Sequence, residues 1–217
     1  MATSAPCCAK IMHNRYVVNP ADVARYLGYQ GTPDEGVSRL ITHCINELEQ
    51  TIHPRCHWQI FDGAVLRTMG FPATTPKAAL IAATLGAEAD ILLHRYQKTD
   101  MTRATVLNTC ANVLIGVVCD VAAEQIARAV RDEGLYLHPR TEPGCGEIPI
   151  SVQGALLRLL SADKHIGVTA NPSGVLLPSK SMTAFVPLAP TPSKCKGGCV
   201  LCGKTDCPYR IYSERNE

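Results

Sequence analysis

The residues best able to do chemistry lie close together near the end of the sequence as given. Cys195, Cys199, Cys202 and Cys207 fall within thirteen positions, with Gly197 and Gly198 before the second, Gly203 after the third, and Pro208 after the fourth. Four thiolates this close can enclose one metal centre. Closely packed cysteines ending in Cys-Pro suit a 4Fe-4S cluster, whereas zinc knots space two CxxC-like pairs by a longer loop. The cluster, structural zinc and redox-active thiols all stay open on spacing alone. Cys195-x3-Cys199-x2-Cys202 also has the spacing of radical S-adenosylmethionine enzymes, but fifteen residues after Cys202 cannot build the barrel such a cluster needs. Lys194, Lys196 and Lys204 offset part of the thiolate charge.

The other seven of the eleven cysteines are scattered (Cys7, Cys8, Cys44, Cys56, Cys110, Cys119 and Cys145) and read mostly as small buried hydrophobes. An odd count without a secretory signal argues against a disulfide framework. No run reaches about 18 continuous apolar residues, so the sequence reads as cytoplasmic with no membrane partner. Charged residues are 18% of the chain and the net charge is +2, which excludes a disordered chain. Three Phe, seven Tyr and one Trp give no stacking platform, and no nucleic-acid partner is expected.

The elements that must position any site follow from periodicity. Thr32-Pro33-Asp34-Glu35 reads as a capping box that starts a helix. Its buried face is Val37, Leu40, Ile41, Cys44, Ile45, Leu48 and Ile52, and His53-Pro54 stops it. His57 to Phe61 and Ala64 to Met69 read as a hairpin turning at Asp62-Gly63. Ala78 to Thr84 suits a buried strand leading into a helix from Ala87 to Gln97. A long helix follows Thr99-Asp100 with the stripe Val106, Cys110, Val113, Val117 and Val121, and Glu124 next in register. Gly116 in mid-helix marks close packing or a ligand's approach.

After Gly134 a strand from Tyr136 to Arg140 enters a loop, Arg140-Thr141-Glu142-Pro143-Gly144-Cys145-Gly146-Glu147-Ile148-Pro149, whose prolines and glycines prohibit regular structure. Gln153 to Leu160 reads as a short helix. Ile166 to Thr169, Leu176-Leu177 and Met182 to Leu188 read as strands, with a turn at Asn171-Pro172-Ser173-Gly174. Residues 1–188 form the main domain; 189–217 form a proline-stiffened linker and the four-cysteine tail. None of the seven histidines has ligand spacing beside a carboxylate, and Ser181 has no nucleophile elbow.

Four segments carry a resemblance. Ala82-Ala83-Thr84-Leu85-Gly86, Arg140-x-x-Pro143-Gly144-x-Gly146 with Gln153 after it, Ile166-Gly167-Val168-Thr169, and Pro178-x-Lys180-Ser181-x-Thr183 resemble the reactivation domain of cobalamin-dependent methionine synthase. They are more similar still to the free-standing proteins of that family, over roughly Val17 to Leu188. The resemblance implies an α+β fold with a curved antiparallel sheet and long helices, holding S-adenosylmethionine. The partner is then a cobalamin-binding methionine synthase or another corrinoid protein, with electrons from reduced flavodoxin or a ferredoxin-type donor. Inactive cob(II) is reduced to cob(I) and trapped by the sulfonium methyl group, the cofactors carrying the hard chemistry.

Residue by residue, Arg140 matches the family's loop arginine, suited to the ligand's carboxylate, with Glu142, Pro143, Gly144, Cys145 and Gly146 supplying the surrounding loop. Cys145 stands where the family carries an aromatic. The family's long-helix carboxylate registers at Gly116 here, with Glu124 as the substitute two turns on. Electron input through an iron–sulfur tail is the expected elaboration. The alternative is a non-catalytic metal-binding adaptor or sensor that docks on a corrinoid protein.

Overall fold

A computed structural model describes residues 16–71, 74–145 and 148–193. Helices α1 (Pro20–Tyr26) and α2 (Glu35–Thr51) come first, then strand β1 (Arg55–Asp62), helix α3 (Gly63–Thr68) and strand β2 (Lys77–Thr84). Helices α4 (Ala87–Thr99) and α5 (Met101–Val130) follow, with a short 3-10 turn after α5. The chain ends in β3 (Tyr136–Leu137), α6 (Gln153–Leu159), α7 (Ala162–Ile166), β4 (Thr169–Ala170), β5 (Leu176–Leu177) and β6 (Ser181–Ala189). The main sheet is antiparallel in the order β1-β2-β6-β3; β4 and β5 form a separate two-stranded ribbon.

β2 explains the architecture. Ala79, Ile81 and Ala83 join one core with α1, α2, α4 and α5, while Ala78, Leu80 and Ala82 join a second with α3, α6 and α7. Because strand side chains alternate between faces, a strand buried on both reads as a continuous apolar run. α5 has the length and apolarity of a membrane-crossing helix, yet Leu107, Ala111, Leu114, Val118, Cys119, Ala122 and Ile126 are all buried within this fold.

Three local readings are corrected. The cap of α2 is Asp34, whose carboxylate accepts from Val37 N at 3.0 Å, rather than Thr32. Asp62-Gly63 is no hairpin turn: the partner of β1 is β2, with Asp62 opposite Lys77, and Gly63 N donates to Pro76 O at 2.8 Å as α3 begins. Ile166 closes α7 and is not in a strand. The α5 stripe also differs. Val113, Val117 and Val121 are half-buried, because α5 meets helices on one side and the sheet on another, and its deepest row lies elsewhere. The α4, α5, β5 and β6 assignments agree with the sequence to within one to four residues at each end.

Candidate functional site

The loop after β3 is irregular but fixed. His138 N donates to Pro187 O (2.9 Å), and Thr141 and Phe185 exchange backbone hydrogen bonds of 2.9 and 2.8 Å, so β6 holds the loop on both sides of Arg140. A tight turn follows: Cys145 N donates to Glu142 O (2.9 Å) and Gly144 N to Ile148 O (2.8 Å). Gly144 has φ +89°, a conformation side-chain-bearing residues rarely adopt. Glu142, Pro143, Gly144 and Cys145 are thereby brought into one turn beside Arg140, with Cys145 exposed. Gly146 lies outside the described residues.

Arg140 reaches from the loop onto α5. Its guanidinium pairs with Asp120, and a Cβ built on Gly116 would lie 3.8 Å from Arg140 Nη2. The absent side chain of Gly116 thus leaves room under the cation. Arg140 keeps 26% of its side chain exposed and Asp120 67%, so the pair opens to solvent. Glu124 points elsewhere: it is exposed and pairs with Arg128 one turn on, at 3.7 Å. The helix carboxylate that meets the loop arginine is Asp120. It sits four residues from Gly116, a spacing visible in the sequence but overlooked because an isolated helical acid ordinarily means a solvated face.

Beneath the site, burial pushes the Cys119 thiol up to about 12 against the opposing charge of Arg140, so it stays protonated and inert. Burial likewise raises Cys44 to about 11 and Cys110 to about 12, in keeping with core roles. Gln153 is buried against Thr183, its Nε2 2.8 Å from Thr183 Oγ1. Ser181 Oγ lies 2.7 Å from Pro178 O and 2.8 Å from Thr84 Oγ1, fixing a turn.

A second polar contact reaches α5 from that turn. Lys180 Nζ donates to Asn108 Oδ1 (2.6 Å) and Asn112 Oδ1 (2.9 Å). Asp90 of α4 accepts from the backbone N and hydroxyl of Ser179. Cys195, Cys199, Cys202 and Cys207 lie outside the described residues; shortly before them, the Thr191 carbonyl oxygen is 3.1 Å from His138 Nε2.

No protein-family model and no curated protein matches this sequence. The fold does have counterparts among solved structures. One is the crystal structure of the MetH reactivation domain bound to AdoHcy, which covers 90% of this chain and 80% of its own, with a TM-score of 0.63 and 14% sequence identity. At that identity the likeness establishes the fold, a mixed helical and antiparallel-sheet domain of the reactivation-domain type.

Proposed function

We propose that this chain is a reactivation component for a corrinoid methyl-transfer protein, with cobalamin-dependent methionine synthase as the partner and S-adenosylmethionine as methyl donor. The observation that carries the reading is Arg140, fixed by β6-bound backbone over the side-chain-free floor at Gly116 and open to solvent. A guanidinium so held suits bidentate pairing with the ligand's carboxylate, and Asp120 beside it complements an α-ammonium group. The fold shared with a reactivation domain bound to AdoHcy supports the same ligand class.

In this reading the corrinoid is substrate, not resident cofactor. Cob(II) gains one electron, and the resulting cob(I) displaces S-adenosylhomocysteine from the sulfonium methyl, the C–S bond breaking as the Co–C bond forms. Coupling an uphill reduction to irreversible methyl transfer draws it forward, and the protein's part is positioning. The electron comes from reduced flavodoxin or a ferredoxin-type protein, and an iron–sulfur centre on Cys195, Cys199, Cys202 and Cys207 would supply one-electron transfer on the same polypeptide.

Calorimetry with S-adenosylmethionine tests the ligand, and anaerobic reconstitution with iron and sulfide followed by EPR after reduction tests the tail. Binding and a reduced-cluster signal are expected. Stoichiometric zinc with no cluster signal would sink the electron-input proposal. One observation favours the adaptor reading: Arg140 is already paired with Asp120, and Cys145 lacks a ring to cover a ligand. Absence of S-adenosylmethionine binding up to millimolar concentration would decide for it. Methylation of a different corrinoid protein, with methionine synthase inert, would reassign the partner.

A further inference from the structure

Asn108, Asn112, Gly116 and Asp120 follow one another along α5 at intervals of four residues, the spacing that stacks side chains on one helical ridge. Arg140 occupies the Gly116–Asp120 end and Lys180 the Asn108–Asn112 end. The midpoints of the two pairs are eight residues apart, about 12 Å along the axis. Two cations from two different loops therefore grip one ridge, with its only side-chain-free position beside the first.

The Lys180 end is chemically unusual. An ammonium has donors only, so Asn108 and Asn112 must turn their carbonyl oxygens toward it and their NH2 groups away. The result is a cluster rich in outward donors. Among the described residues Lys180 makes no ion pair, since Asp90 gives its carboxylate to Ser179. Burial draws the lysine's pKa down and the charge of Asp90 partly restores it. A cavity of about 300 Å³ opens beside it, lined by Asp90, Leu93, His94 and Gln97 of α4 together with Asn108, Ser179 and Lys180. That volume lies at the small end of ligand pockets. Its lining is mainly polar, and with the Asp90 carboxylate engaged by Ser179 the donors of Lys180, Asn108 and Gln97 suit a planar, acceptor-rich heterocycle.

We propose that Lys180, clasped by Asn108 and Asn112, is the specificity anchor for the purine nucleoside end of the ligand whose carboxylate Arg140 receives. The proposal rests on the ligand class inferred above. A ligand with a carboxylate at one end and a base with ring-nitrogen acceptors at the other spans both cations, whereas a free amino acid engages Arg140 alone. Lys180 thus tells the nucleoside-bearing ligand from methionine.

The test is calorimetry of the full chain with S-adenosylhomocysteine, adenosine and L-methionine, comparing wild type, Lys180→Gln and Arg140→Gln. Losing a hydrogen bond to a charged group predicts that Lys180→Gln weakens S-adenosylhomocysteine and adenosine by about tenfold or more and leaves methionine unchanged. Arg140→Gln weakens methionine and spares adenosine. If Lys180→Gln weakens all three alike, or none, Lys180 is only a structural pin and the anchor is refuted while the ligand class stands. If wild type binds none of the three at millimolar concentration, the ligand class itself falls and takes the anchor with it. Should Lys180→Gln not fold, acylation footprinting of wild type reads the same point. S-adenosylhomocysteine and adenosine protect Lys180 and methionine does not; equal labelling with and without S-adenosylhomocysteine overturns the anchor.

Discussion

Glu47 joins three helices at a single carboxylate. It accepts from Tyr96 Oη of α4 at 2.6 Å and from Arg103 Nη2 of α5 at 2.7 Å. Burial alone would raise its carboxyl, but the bonds from Tyr96 and Arg103 and the charge of Arg103 outweigh that and hold it below the ordinary range. A carboxyl depressed by folding stabilises above its unfolded value and loses that contribution as pH falls through the folded one. Urea unfolding of wild type should therefore lose stability from about pH 4.5 downward through this group. Glu47→Gln should flatten that portion and cost about 1–3 kcal/mol at neutral pH; identical acid slopes in both proteins would refute the assignment. At this scale the sequence was only half legible. Arg140 declared itself through its Pro-Gly loop, but Asp120 gains its meaning only when a loop twenty residues downstream folds back over α5.

At the scale of the element, α5 carries a glycine that its own stability disfavours. An added Cβ at Gly116 would meet Arg140 Nη2 at 3.8 Å, an ordinary contact. Gly116→Ala should raise stability by about 1 kcal/mol through helix propensity, or about 2–4 °C in melting temperature for a chain this size. Affinity for S-adenosylhomocysteine should fall, since the floor of the site has risen. A more stable protein with unchanged affinity would show that no ligand uses that floor. β2 was legible because a strand buried on both faces must be continuously apolar. α3 was not, because a six-residue segment has no period long enough to separate helix from strand, and the true partner of β1 lies beyond it at Lys77–Thr84.

At the scale of the whole molecule, the described residues of the two cores run from Tyr16 to Leu188. β6 ends at Ala189, paired to Tyr136, and beyond it the Thr191 carbonyl oxygen lies against His138 Nε2. A chain ending at Ser193 should melt within about 2 °C of the full protein, since every described core residue is kept. It should bind S-adenosylhomocysteine equally, and methylate a corrinoid partner with a strong chemical reductant but not with a protein electron donor. Loss of ligand binding on truncation would show that the tail completes the site. Cysteine spacing alone suggests a metal-binding appendage at Cys195 to Cys207, which lies outside the described residues. The two-core arrangement around β2 was not legible in the sequence, because it depends on which strands meet across long separations.

α5 is packed against α2 and α4 on one side and the sheet on the other, and is knotted to both helices through Glu47. Its amides can exchange with solvent only when much of the domain opens, whereas the loop around Arg140 is held by backbone bonds to β6 and the turn at Pro178–Ser181 by bonds to Asp90, Thr84 and Leu85. The two cations therefore sit on segments that can open with less of the domain than the helix they grip. Amide hydrogen exchange should accordingly be faster at these two segments than along α5, which serves as the stationary reference.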